Sequence, residues 1–228
     1  MSGSGACCVR MKSLLVINAS GRVTRSITRQ LTARFVERWK EAYPDAEIID
    51  RDVGIRPPTP VSEAWVAASF SPADQRTPEM RAALEESETF IEEILRADAI
   101  VMGVPMYNFG MPAQMKAWFD QIVRVGRSFD FKDDEADPYL PLLPSRPVVL
   151  ITATGTSGYE PGGLNERFNF LDPHLQSVLA FVGLGDISLI RVGFEESQDK
   201  RFKRSVEEAE LSIDRAAGKL TPVAQAVN

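Results

Sequence analysis

An α/β fold built on a doubly wound, five-stranded parallel sheet in three layers is what the sequence predicts, and three observations carry it. Uninterrupted apolar runs recur at residues 13–18, 99–104 and 147–152, as in strands buried on both faces. Between them the apolar residues repeat at helical spacing, for instance Ile27, Leu31, Phe35 and Trp39, so strand and helix alternate. No Gly/Ser-rich linker divides the 228 residues, which points to one domain over 13–220 behind a disordered leader at 1–12.

The first strand, SLLVIN, ends in a hydroxyl-rich loop, and a helix runs from Ile27 to Tyr43-Pro44. A second, edge-like strand follows at 47–50, and then an irregular stretch at 51–75 that holds Trp65 and Phe70. A segment this long without a strong pattern is a flap, an interface or ordinary packing. Thr77-Pro78-Glu79 reads as a helix start, and Met80, Leu84, Ile91 and Leu95 mark one buried stripe as far as Ala97-Asp98. The strand at 99–104 delivers the loop PMYNFG; beyond Pro112, Met115, Trp118, Phe119, Ile122 and Val123 form one helix face, with Gly126 as the stop. Residues 127–146 form a second irregular segment with Phe129 and Phe131. The strand at 147–152 ends in ATGTSG, a helix starts at Asp172-Pro173 and stops at Gly183, a last strand lies at 186–190, and a charged helix over 197–217 closes the chain.

Composition narrows the class. Hydrophobic content of 44% and charged content of 25% are those of a soluble globular protein with a sizeable core. A net charge of −6, with no run of Lys/Arg interleaved with aromatics, argues against a nucleic-acid surface. No apolar stretch is long enough to span a bilayer, and MSGSGACCVR lacks the apolar middle of a signal peptide. A cytoplasmic location is the expectation, with Met11 as an alternative start. Cys7 and Cys8 are vicinal, a geometry that rarely bridges, and they read as reduced thiols. His174 is the only histidine, so no metal site is expected.

Three loops leave the carboxyl ends of strands with suggestive chemistry. A helix start presents unpaired N–H groups and the positive end of its dipole, and Ser20, Ser26 and Thr28 add hydroxyls beside Ile27. Arg22 and Arg25 lie nearby, either as cations for an anion or simply solvated. The stretch is neither a Walker loop nor a Gly-x-Gly-x-x-Gly turn; helix capping by Ser26 or Thr28 is the plainer reading, and it is compatible with phosphate binding. In the second loop, Pro105-Met106-Tyr107-Asn108-Phe109 offers backbone N–H groups and aromatic surface to a planar ligand, or forms an ordinary turn whose aromatics cap the core. The third loop, Ala153-Thr154-Gly155-Thr156, has small residues that allow a close approach to backbone.

The run Pro105 to Phe109, with Lys116, Asp120, Arg124 and Gly126 after it, resembles the flavin loop and following helix of the FMN-dependent NADH azoreductases, which are also quinone reductases. Ser20, Ser26 and Thr28 are similar to that family's phosphate-binding hydroxyls, and Ala153 to Thr156 occupies the place of its third flavin loop, with Ala153 and Thr156 where relatives often carry serine and a second glycine. The resemblance implies a flavodoxin-like domain that binds FMN through Ser20, Ser26, Ile27, Thr28, Pro105, Met106, Tyr107, Asn108, Phe109 and the third loop. It implies NADH or NADPH as donor, quinones and azo compounds as acceptors, and ping-pong hydride transfer through flavin N5, which would explain the lack of an obvious acid–base pair. It also implies a homodimer whose substrate slot is lined by Tyr107, Phe109, Phe131 and Phe181. A flavodoxin-like electron carrier, or a reductase of nitroaromatics, chromate or free flavin, is the alternative.

Overall fold

In a computed structural model, which describes residues 13–218 and 220, the chain runs β1 (Ser13–Asn18), α1 (Ile27–Ala42), β2 (Glu47–Asp52), α2 (Glu63–Phe70), α3 (Pro78–Ala83), α4 (Glu85–Arg96), β3 (Ala99–Pro105) and α5 (Ala113–Ile122). It continues through β4 (Phe129–Phe131), β5 (Tyr139–Pro141), β6 (Val148–Ala153), α6 (Asp172–Phe181), β7 (Ile187–Val192) and α7 (Lys200–Ala217). The leader with Cys7 and Cys8 lies outside the described residues.

Five strands form one parallel sheet in the order β2-β1-β3-β6-β7. The apolar runs became its centre: β6 is buried throughout, and β1 and β3 are buried except at their last residue. The edge strands β2 and β7 are only partly covered. Side chains alternate between faces. Leu15, Ile17, Ile100, Met102 and Leu150 enter a core with α4, α5 and α6. Leu14, Val16, Val101, Val149 and Ile151 enter a second core with α1 and α7. A flavodoxin-like α/β/α sandwich results.

Two helices depart from the periodicity reading. The stripe from Met80 to Leu95 is broken at Leu84, which has φ −100° and ψ 0° between α3 and α4. Leu84 turns away to pack with Trp65, Ala68 and Met80 in a small core of its own. Helix α5 stops at Ile122, short of Gly126, whose positive φ of 71° serves the turn into β4 instead. The Ser128 hydroxyl accepts the Arg124 N–H at 2.8 Å, and the Arg124 side chain, fully buried, pairs with Glu88 of α4. Burial presses the Arg124 pKa down while Glu88 holds it up.

The irregular segment at 127–146 contains an antiparallel ribbon, β4 with β5, that the sequence did not announce. Trp65 is buried, its indole N–H donating to Gln121 Oε1 at 2.8 Å, whereas Phe70 is 66% exposed. Removing Glu88 strands a buried cation, so Glu88→Ala is expected to destabilise the protein by about 3 kcal/mol. Urea unfolding checks this through a lowered midpoint at constant m.

Candidate functional site

Because α1 leaves β1 toward one face of the sheet while α5 leaves β3 toward the other, the carboxyl ends of these neighbours frame an open crevice. A cleft of about 250 Å3 occupies it, lined by Ser20, Arg22, Ser26, Ile27, Thr28, Pro105 to Asn108, Ala153 to Gly155, Glu195 and Glu196. The three loops singled out in the sequence meet there; Phe109 and Thr156 flank the cleft without lining it.

At one end sits the start of α1. The Ser26 hydroxyl caps Arg29 N–H at 3.4 Å and lies 3.1 Å from the Thr28 hydroxyl. Gln30 N–H takes the Ser26 carbonyl, so the Ile27 and Thr28 N–H groups are the first-turn donors left for a ligand. The loop before the helix is clamped from beneath. Arg29 donates to the Ser20 carbonyl from Nε at 3.2 Å and Nη2 at 2.6 Å, and its Nη2 lies 2.7 Å from Asp52 Oδ1. Gly54 closes the clamp, since a Cβ there would collide with the Ser20 carbonyl. Burial works to raise the Asp52 pKa, but Arg29 and the Ile55 and Gly54 N–H groups outweigh it, and the carboxyl sits below its ordinary value.

The second loop is a tight two-residue turn. Tyr107 N–H donates to the Gly110 carbonyl at 2.9 Å and Gly110 N–H returns to Tyr107 at 3.1 Å. Both central residues have positive φ, 48° at Asn108 and 72° at Phe109, the backbone of a type I′ turn. Asparagine tolerates this region; phenylalanine is strained in it. The Phe109 carbonyl accepts Phe170 N–H at 3.0 Å, and its ring lies 5.5 Å from that of Phe168. At the tip, the Asn108 and Phe109 N–H groups have no acceptor among the described residues. A hydroxyl pair, Ser20 to Tyr107 at 3.4 Å, joins this loop to the first.

The third loop is laced to a fourth, after β7. Glu195 N–H donates to the Thr154 carbonyl and Glu196 N–H to that of Gly155, both at 3.1 Å. A Cβ on Gly155 would stand 2.5 Å from Glu196 Oε1, so only glycine lets that carboxylate lie against the loop. Glu195 reaches across to Arg22, 2.9 Å from its Nη1. The two glutamates went unforeseen; their only signal in the sequence is that they follow another parallel strand, whose carboxyl end shares this edge of the sheet.

Phe131 and Phe181 do not reach the cleft within one chain. They meet through Phe129 and Tyr139, with ring centroids 4.9 to 5.9 Å apart in a separate aromatic cluster. Among the described residues, no group of three His, Cys, Asp or Glu side chains could hold a metal ion, and no helix is long and apolar enough to cross a membrane.

Hydroxyls beside a helix start at one end of the cleft, and peptide N–H groups without an acceptor among the described residues beside aromatic surface at the other, are those of a doubly wound α/β protein with an open crevice at its strand ends. Residues 12–215 match the family model for the flavodoxin-like fold. The FMN-dependent NADH:quinone oxidoreductase of Opitutus terrae is 44% identical over 90% of this chain and 96% of its own. The FMN-dependent NAD(P)H:quinone oxidoreductase 1 of Pseudomonas aeruginosa is 39% identical over 91% and 100%. The chain belongs to this family of the flavodoxin-like fold. An azoreductase of Bacillus anthracis shares the fold with a TM-score of 0.82 at 19% identity, covering 92% of this chain and 100% of the other. An FMN-dependent NADH-azoreductase from the same species, solved with FMN, gives 0.78 at 20%, covering 92% and 99%.

The turn at Asn108 has a direct test: Asn108→Gly should leave stability within about 0.5 kcal/mol, whereas Asn108→Val, forced to positive φ, should cost about 1–2 kcal/mol in thermal or urea unfolding. The Arg29 clamp has another. Since Asp52 is more acidic folded than unfolded, its contribution is complete above the unfolded value near 3.9 and is lost as pH falls through the lower folded value. Wild type should therefore exceed Asp52→Asn in stability at pH 7, and the gap should shrink below about pH 4; urea midpoints across pH 2–7 read this.

Proposed function

We propose that this chain is an FMN-dependent NAD(P)H:quinone oxidoreductase that also reduces azo compounds, working by a ping-pong cycle as a cytoplasmic homodimer of a single 13–220 domain. The observation that carries the reading is the convergence of the three loops on one cleft, in a chain 44% identical to an FMN-dependent quinone oxidoreductase.

The donor set fits FMN from end to end. Ser20, Ser26 and Thr28, with the Ile27 and Thr28 N–H groups, would hold the phosphoryl group. The Asn108 and Phe109 N–H groups, with those of Gly155 and Thr156, would face the polar edge of the ring and stabilise negative charge there. Bound FMN supplies two-electron chemistry at its N5. The protein's part is orientation: the Arg29 clamp and the type I′ turn fix the donors before a ligand arrives. Tyr107 and the half-exposed Phe109 offer walls against which a flat nicotinamide, quinone or azo compound stacks. The exposed Phe131, Tyr139 and Leu140 suit burial against a second copy, through which Phe131 and Phe181 would complete a slot.

The purified protein should be yellow or become so with added FMN, should bleach anaerobically with NADH or NADPH, and should regain its colour with a quinone and with an azo dye. Initial rates should give parallel double-reciprocal lines. A colourless protein that takes up no FMN ends the reading; a flavin that neither nicotinamide bleaches makes the protein a one-electron carrier.

A further inference from the structure

The charge balance of the cleft is unusual for an anion site. Its lining carries the carboxylates of Glu195 and Glu196 and a single cationic side chain, Arg22, while a phosphomonoester brings a further −1.5 to −2 at neutral pH. Hydroxyls and two peptide N–H groups supply no whole charge against it. Other nearby cations are engaged or placed elsewhere. Arg29 is committed to Asp52 and the Ser20 carbonyl, and Arg25 does not line the cleft but an adjoining groove that shares Arg22, Ile27, Glu195 and Glu196 with it.

Arg22 itself is anchored at both ends. Its backbone N–H donates to the Ser20 hydroxyl at 3.2 Å, and its Nη1 donates to Glu195 Oε1 at 2.9 Å. The side chain is 61% exposed, so the pair adds little to stability, yet it spans the cleft from the first loop to the fourth. A guanidinium has five N–H donors in a planar fork. With Nη1 held, Nε and Nη2 have no acceptor among the described residues. Glu195 is presented from a stiff turn, its N–H on the Thr154 carbonyl and positive φ at Phe194 and Gln198 on either side.

We infer that Arg22 is the cation that binds the phosphoryl group in this cleft, and that Glu195 is a positioning residue holding the guanidinium across its mouth. The inference rests on the FMN reading and adds to it a charge-recognition pair contributed by this chain's first and fourth loops.

Riboflavin, which lacks the phosphate, separates the two. Quenching of flavin fluorescence by the full chain freed of bound flavin gives Kd for FMN and riboflavin in wild type, Arg22→Gln, Glu195→Gln and the double variant. Arg22→Gln should weaken FMN roughly tenfold or more while moving riboflavin less than about twofold, and should flatten the salt dependence of FMN binding. Glu195→Gln should weaken FMN severalfold with riboflavin unchanged, and in the double variant it should add nothing to Arg22→Gln. An FMN-to-riboflavin preference untouched by Arg22→Gln overturns the inference. Tighter FMN binding in Glu195→Gln makes Glu195 a competing anion and removes its positioning role. A wild type that takes up neither flavin strikes at the proposed function instead.

Discussion

The crevice exists because the chain winds in opposite senses from two adjacent strands. β1 and β3 pair in register over Leu14 to Asn18, but their outgoing helices cover opposite faces. No connection roofs the two strand ends, and the peptide groups of their loops have no ladder to join. With β6 next in order, the third loop falls beside the second, held by Met106 N–H on the Ala153 carbonyl at 2.8 Å. Residues separated by more than a hundred positions are brought together by strand order alone.

Open strand ends would be of little use if the loops were slack, and each is stiffened by a different device. Arg29 grips the first loop through one carbonyl and is itself fixed by Asp52. A strained pair of positive-φ residues fixes the second, and backbone N–H groups of the fourth loop, donating to its carbonyls, fix the third. Such strain persists only where the surroundings over-determine it. Here β3 and β6, buried along nearly their whole length, are the rigid base from which the loops project. Donors held in place before a ligand arrives lose little entropy on binding it.

The strands were the most legible part of the sequence because a strand buried on both faces can only be an apolar run. That is why β1 was placed at its observed bounds and β3 and β6 to within a residue. The break at Leu84 and the early end of α5 were not legible, since both answer to partners distant in sequence: Trp65 for Leu84 and Glu88 for Arg124. The β4–β5 ribbon escaped because three-residue strands around an acidic loop carry no period to detect. At the cleft, hydroxyls beside a helix start and an aromatic-flanked asparagine stood out by local pattern, with helix capping and an ordinary turn as the plainer readings, and they line one cleft. Glutamates beside a site suited to anions did not, because their meaning depends on Arg22, 173 positions earlier.

Bulk charge points away from an anionic ligand: the chain is −6 overall. Long-range attraction therefore contributes little to recognition, and any preference for a phosphoryl group has to arise within the few ångströms that separate it from its donors. The fold meets this requirement with directional groups, the two first-turn N–H donors of α1 and three hydroxyls, whose partial charges act only at contact. One guanidinium, paired with Glu195, adds charge without adding a basic patch. A site of this kind discriminates by geometry over attraction.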